Sequence, residues 1–475
     1  MNKTVETTTG KIRGFAPDEH TWAWYGVPYA APPVGHLRWQ PPAPIHPWCG
    51  VRNAIAYGDQ AAQDPFFEPY GLGGMSEDCL HLNITAPRNA NQLPVMVWFH
   101  GGAFVALTSN IKLYNNPVAL PTKGVVLVTI NHRLGPFGYL AHPLLSAASG
   151  YEGSGNYGQL DLISALKWVR DNIAGFGGDP HNVTLFGQSG GGAKAISLMA
   201  SPLAVGLFHK VICQSGMVAS SYGFMNADDL ITAEAKGLDL TKRLGATTIE
   251  QMRAVPWEII VASDIKTYGQ KIGIYRPNID GYYLQHHQME AIQNGLASDV
   301  PLLAGATTWD RVLEGELVTG LIEQMPLRAA HCKAEQYAYQ FDHVPTGWRD
   351  IGASAYHGID LTYLFNYPDG FIDHFRFGLT GLSPKQLGGT TIDGSDLSAA
   401  EIIASTGYSE EDRRLTDTVM TLWTNFAKTG NPSIPEMIRW YPYKNHSNAQ
   451  GDCFLHIGEP IEMRKGLANA FDLHT

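Results

Sequence analysis

The chain has 475 residues, 44% of them hydrophobic and only 16% charged, enough to bury a large core in one α/β unit. Its formal net charge is −11, with no acidic block and with Lys and Arg scattered, which argues against a nucleic-acid partner. No stretch reaches the 18 or so consecutive apolar residues of a membrane span.

Five cysteines (Cys49, Cys79, Cys213, Cys332, Cys453) form no CxxC pair and leave one over, which fits neither a disulfide scaffold nor a zinc site. Unpaired thiols used as small apolar residues are expected. The first residues, Met1 to Glu6, lack the apolar centre of a signal peptide. The expected location is the cytoplasm, or outside the cell if a leader precedes this sequence.

The first 60 residues alternate short β-like runs with turn clusters, and Tyr25–Gly35 is too rich in proline for a helix or a central strand. Cys79–Ile84 alternates like a half-buried strand, whereas Val95–Phe99 and Val125–Ile130 are continuous apolar runs. Continuous runs mark strands covered on both faces, as a parallel sheet requires. Asp161–Ile173 has helical spacing and is ended by Phe176-Gly177-Gly178-Asp179-Pro180. Further strands are predicted at Val211–Gln214, Pro301–Gly305 and Tyr337–Phe341, with polar-faced helices between Met225 and Gly295. A long amphipathic helix, Glu410 to Lys428, precedes Gly430-Asn431-Pro432. Strands alternating with helices along the whole chain predict one doubly wound α/β domain.

Gly153-Ser154-Gly155-Asn156-Tyr157-Gly158 fits GxGxxG, but the motif needs a strand before it and an acidic residue at the end of a second strand. A loop precedes it here, and Asp179 comes before a strand instead of after one. Dinucleotide binding is not the expectation; these glycines open the next helix.

The informative stretch is Val183-Thr184-Leu185-Phe186-Gly187-Gln188-Ser189-Gly190-Gly191-Gly192. Four β-prone residues run into G-x-S-x-G, and a helical stretch follows, the setting in which a serine projects from a strand-to-helix turn. The turn is strained and crowded, which accounts for its glycines. Its position at a helix N-terminus favours an oxyanion. His100-Gly101-Gly102-Ala103-Phe104 follows the strand Val95–Phe99, where a glycine loop supplies further backbone donors.

With these motifs in view, the sequence resembles the type B carboxylesterases, the α/β-hydrolase branch that includes the cholinesterases. The matching stretches are Tyr25–Gly35, Ser76–Asn83, His100–Phe104, Asn131–Pro136, Gly155-Asn156, Phe176–Pro180, Gly187–Gly191, Gln214-Ser215-Gly216, Asp280-Gly281 and Gly430-Asn431-Pro432. The resemblance implies an α/β-hydrolase fold: a doubly wound, mostly parallel sheet with helices on both faces. It implies ester hydrolysis through a Ser–acid–His triad. Ser189 takes the nucleophile's place and His357, in Ala355–Phe365, the base's. Asp310, in Gly305–Arg311, stands where the family has a glutamate one methylene longer, with Glu314 and Glu316 as fallbacks. Gly102, Ala103 and Gly190 correspond to the oxyanion hole, and Ser215 to a hydroxyl near the acid. Phe104 and Trp309 are candidates for the substrate wall, with core packing an equal reading. No metal or cofactor is implied, and the expected partner is a small-molecule ester.

Three departures from the family pattern stand out. Only 47 positions separate Asp310 from His357, so a reduced helical cover is expected, built from about 220–300 and a shortened 311–356. Cys79 matches a family half-cystine whose usual partner is missing, since Gln60–Gln63 has no cysteine, so a free thiol is expected and not a pair with Cys49. Gln188 and Gly190 flank Ser189 where Glu and Ala are usual, which changes the local charge. Ester, amide and carbamate hydrolysis stay unseparated by these residues, as does oligomeric state. A non-catalytic, cholinesterase-like binding protein is disfavoured by the complete triad.

Overall fold

The structure is a computed structural model that describes residues 2–219, 225–269, 274–310, 316–444 and 451–471. Glu314 and parts of the expected cover, 220–224, 270–273 and 311–315, lie outside the described residues.

The predicted apolar runs all enter one sheet of 13 strands. Seven of them lie side by side and parallel, in the order Val126–Ile130, Leu93–Phe99, Gly178–Gln188, Lys210–Gln214, Leu302–Thr307, Gln336–Phe341 and Cys453–Ile457. The flanks are antiparallel. His81–Pro87 joins Val126–Ile130 to Thr21–Pro28, an N-terminal hairpin extends that edge, and Glu462–Lys465 closes the other.

Why continuous apolar runs were needed is visible in the two cores. Along Leu93–Phe99, Val95, Val97 and Phe99 join one cluster while Met96 and Trp98 join the other. The first cluster receives Leu162, Leu166 and Val169 from the helix Tyr157–Asn172 and Ile196 from the helix Gly190–Met199. The second receives Leu415, Val419, Trp423 and Phe426 from Glu410–Thr429. That helix carries three acidic residues in its first turn, a Ser409 capping box and left-handed Gly430 at its end, so its predicted bounds hold to within a residue.

The helix expected from Asp161 begins at Tyr157, because Asn156 adopts φ 57° and starts it four residues earlier. The glycines before it are there for close packing. A Cβ on Gly155 would lie 2.5 Å from the Asn278 side chain, and one on Gly158 would lie 2.5 Å from the Arg133 carbonyl. Arg133 itself is buried against Asp161 in a bidentate pair of 2.6 and 2.8 Å. Arg38 and Glu77 make a second such pair, at 2.7 and 2.5 Å. Two of the family-like stretches thus hold the fold rather than the chemistry. All five cysteines are free, with Cys79 buried and Cys49 exposed. Among the described residues no helix is long and apolar enough to cross a membrane.

Candidate active site

The strand Gly178–Gln188 is hydrogen-bonded on both sides, so its end is fixed in space. The chain then turns at Ser189, with φ 57° and ψ −127°, directly into the helix Gly190–Met199. Such a conformation costs on the order of 1–3 kcal/mol for a residue with a side chain and persists only where its surroundings enforce it. Here crowding enforces it: a Cβ on Gly191 would sit 1.9 Å from the Phe99 carbonyl, and one on Gly187 2.5 Å from the Gly191 backbone.

The glycine loop after Leu93–Phe99 meets this turn. A Cβ on Gly101 would lie 3.5 Å from Cβ of Ser189, and one on Gly190 2.2 Å from the Ala103 carbonyl. Gly102 and Ala103 both adopt positive φ, 77° and 54°. Among the described residues the amides of Gly102, Ala103 and Gly190 donate to no acceptor, so three backbone donors stand uncommitted where the loops touch. Beneath them Lys194, fully buried on the elbow helix, donates from Nζ to the His100 carbonyl at 3.0 Å and ties the loop to that helix. Burial pushes its ammonium well below the usual lysine range.

Asp310 follows the strand Leu302–Thr307, and its Oδ1 accepts from His357 Nδ1 at 2.9 Å. The shorter acid reaches because the two loops are joined: Trp309 N donates to Ala355 O at 3.0 Å, and Trp309 bridges Tyr356. Burial disfavours the imidazolium, but the Asp310 carboxylate, its hydrogen bond and the charge of Asp360 outweigh it, so the His357 pKa is raised. Asp360 is a second buried carboxyl behind the imidazole. Burial lifts it to about 6 despite a 2.6 Å hydrogen bond from Gln214. Gln214 and Asp360 fall in stretches that match the family, but the sequence assigned neither a role, because that role depends on where His357 lands.

The family resemblance suggests Ser215 as a hydroxyl near the acid, yet among the described residues neither its buried hydroxyl nor Asp310 Oδ2 has a hydrogen-bond partner. Its amide instead holds the strand end, donating to Gly305 O at 2.8 Å. Glu316 begins the helix Glu316–His331, whereas the acid on His357 is Asp310.

Ser189, His357, Gly102 and Ala103 all line one cavity of about 310 Å³. Its walls are mostly apolar: Phe67 and Tyr70, the loop from Ala106 to Tyr114, Met225, and Gly370, Asp373, His374 and Phe377. The last four recur at helical spacing, so one face of the helix Gly370–Arg376 and its C-cap roofs the site. The described parts of 311–356 contribute no wall residue, and Met225 is the only described contributor from 220–300. The roof comes instead from beyond His357. Phe104 is not in the wall. It is fully buried and packs edge-on against Tyr139, centroids 5.1 Å apart, because its side chain points from the loop into the sheet's core. Trp309 is also outside the wall, over one third exposed, with its ring beside Gly381.

A mostly parallel sheet with helices on both faces, a strained serine at a strand end and, on the same cavity, a histidine bonded to a buried aspartate define a hydrolase of the α/β class. The chain matches the Carboxylesterase family over residues 1–319 and 383–472, and it belongs to that family as a carboxylic ester hydrolase. It is 32% identical over 492 residues to para-nitrobenzyl esterase of Bacillus subtilis (strain 168), covering 92% of each chain. It is 38% identical over 305 residues to fumonisin B1 esterase of Sphingopyxis macrogoltabida, covering 63% of this chain and 54% of that one. A solved structure of PNB esterase superimposes with a TM-score of 0.80 at 27% identity, covering 98% of this chain and 97% of that one. The span left unmatched, 320–382, contains His357, Asp360 and the roof helix.

Proposed function

We propose that Ser189, His357 and Asp310 hydrolyse carboxylic esters through an acyl-enzyme. The observation that carries this reading is the Asp310–His357 hydrogen bond, 2.9 Å long, on the wall of the cavity that Ser189 also lines. Asp310 fixes the proton on Nδ1, leaving Nε2 as the base. Ser189 Oγ attacks the ester carbonyl while Nε2 takes its proton, and the carbonyl oxygen becomes an oxyanion facing the amides of Gly102, Ala103 and Gly190. The imidazolium returns the proton to the departing alcohol. Water, deprotonated by the same nitrogen, then attacks the acyl carbonyl; the acid leaves and Ser189 recovers its proton.

The apolar walls and the volume of about 310 Å³ suit small and medium acyl and alcohol groups. Ser189→Ala is expected to abolish turnover of p-nitrophenyl butyrate, and a phosphonate ester is expected to label Ser189 with one equivalent. Undiminished turnover in the alanine variant defeats the reading.

A further inference from the structure

Gln188 is buried in the cavity wall beside Ser189, and its side chain touches the base rather than solvent. Its carboxamide Nε2 lies 3.0 Å from His357 Nε2. Because the Nδ1 proton is committed to Asp310 Oδ1, Nε2 of the neutral ring carries a lone pair, and the amide group donates to it. An imidazole nitrogen has one lone pair in the ring plane. While Gln188 donates to it, the Ser189 hydroxyl does not, and no Ser189–His357 hydrogen bond accompanies the Gln188 contact. Among the described residues Gln188 is the only hydrogen-bond partner of Nε2.

We propose that Gln188 is a positioning residue that caps His357 Nε2 in the resting enzyme and surrenders it to Ser189 once an ester fills the cavity. The proposal rests on the roles given above to Ser189 and His357. The carboxamide has somewhere to go. It borders the open cavity, and its neighbours on two sides are glycines: a Cβ on Gly101 would lie 3.4 Å from its Oε1, and one on Gly358 3.7 Å from its Nε2.

As a donor to Nε2 the carboxamide favours the neutral ring over the imidazolium. A glutamate at this position serves only the charged ring, and an apolar residue serves neither. The other groups facing the imidazole leave Nε2 to Gln188. Asp310 bonds Nδ1, and Asp360 acts through its charge alone. His374, on the roof helix and held by the Tyr356 hydroxyl at 3.1 Å, is pushed down to about 4 by burial and by the charge of His357.

The test is the acid limb of kcat/KM for p-nitrophenyl acetate in the full-length enzyme and two variants, Gln188→Met and Gln188→Glu. Removing a donor to the neutral ring raises the imidazole pKa, and adding a carboxylate raises it further. The expected order is native, then Met, then Glu, with steps on the order of half to one pH unit. On the alkaline plateau, phosphonate labelling of Ser189 is expected to be about 2–5-fold faster in Gln188→Met, since one competing hydrogen bond is gone. A side chain that merely packs moves neither reading in order. An acid limb common to all three proteins, or one displaced downward in Gln188→Met, overturns the proposal. Loss of turnover in Ser189→Ala alongside such a fixed limb removes only the role of Gln188; retained turnover there removes the reading beneath it.

Discussion

The two sides of the cavity are built in different ways. On one side, Ser189 and the Gly101–Ala103 loop hang from the ends of adjacent parallel strands, and the atom nearest to a Cβ on Gly101, Gly102, Gly190 or Gly191 is backbone. On the other side, His357 and the roof helix Gly370–Arg376 lie in a span outside the family match, held by side-chain packing and by the link between Trp309 and Ala355–Tyr356. Backbone-built geometry tolerates almost no change of side chain. Side-chain-built geometry can be re-cut, which suits a surface that selects substrates. The contrast teaches where this enzyme is rigid by construction and where specificity can vary without touching the attack on the carbonyl.

The comparison is tested most severely at its seam. Asp310→Asn leaves the loop in place but removes the carboxylate that fixes the His357 tautomer. The expected loss is about 10⁴-fold in kcat, roughly 5 kcal/mol of transition-state stabilisation. The pH profile sharpens this. In the proposed mechanism His357 must be neutral to act, and its pKa is raised, so activity should fall on the acid side at a pH above the ordinary imidazole value of about 6.5. In Asp310→Asn the main cause of that raised pKa is gone, and the limb should move down. An unmoved limb would detach Asp310 from the base.

The next effect is on folding. Gly191→Ala places a Cβ 1.9 Å from the Phe99 carbonyl, where only backbone movement relieves the clash. A loss of about 4 kcal/mol or more in urea unfolding is expected; a mild loss would show that the elbow side is softer than described. Slightly below it comes Asp161→Asn, which leaves the fully buried Arg133 guanidinium without its carboxylate. About 3 kcal/mol is expected, read as a lower unfolding midpoint with little change in kcat for the fraction still folded.

The smallest effect belongs to the roof. Phe377 packs at a tilt against Tyr70, centroids 3.9 Å apart, and both line the cavity. Phe377→Ala is expected to raise KM about tenfold for a hexanoate ester while leaving kcat for acetate within about twofold, as lost apolar contact of about 1–2 kcal/mol implies. Equal losses for both esters would place Phe377 in support of the chemistry instead.

These contrasts match what was readable in the chain. The elbow, its glycine loop and six of the seven parallel strands were legible because each is written locally: an apolar run of fixed length, then small residues where backbones must touch. The N-terminal hairpin and Cys453–Ile457 were not singled out, since short edge strands carry little periodic signal. His357 and Asp310 were placed through family motifs, and the reach of the shorter acid had no local trace. It depends on a hydrogen bond between loops 46 positions apart in the chain, from Trp309 to Ala355. Phe104 shows the same limit from the other side, because nothing in a loop sequence states which of its faces meets the core.

Strand patterning and the G-x-S-x-G turn were enough to read the fold class and the strained serine, because both follow from local backbone and packing rules, whereas ester hydrolysis was implied by the family resemblance and not separated from amide or carbamate hydrolysis. Only the folded chain brings the Asp310 carboxyl to His357, sets Gln188 against the same imidazole and supplies the roof from residues 370–379. Those facts are distances between segments far apart in the chain, and such distances are set only when the sheet closes and its connections pack.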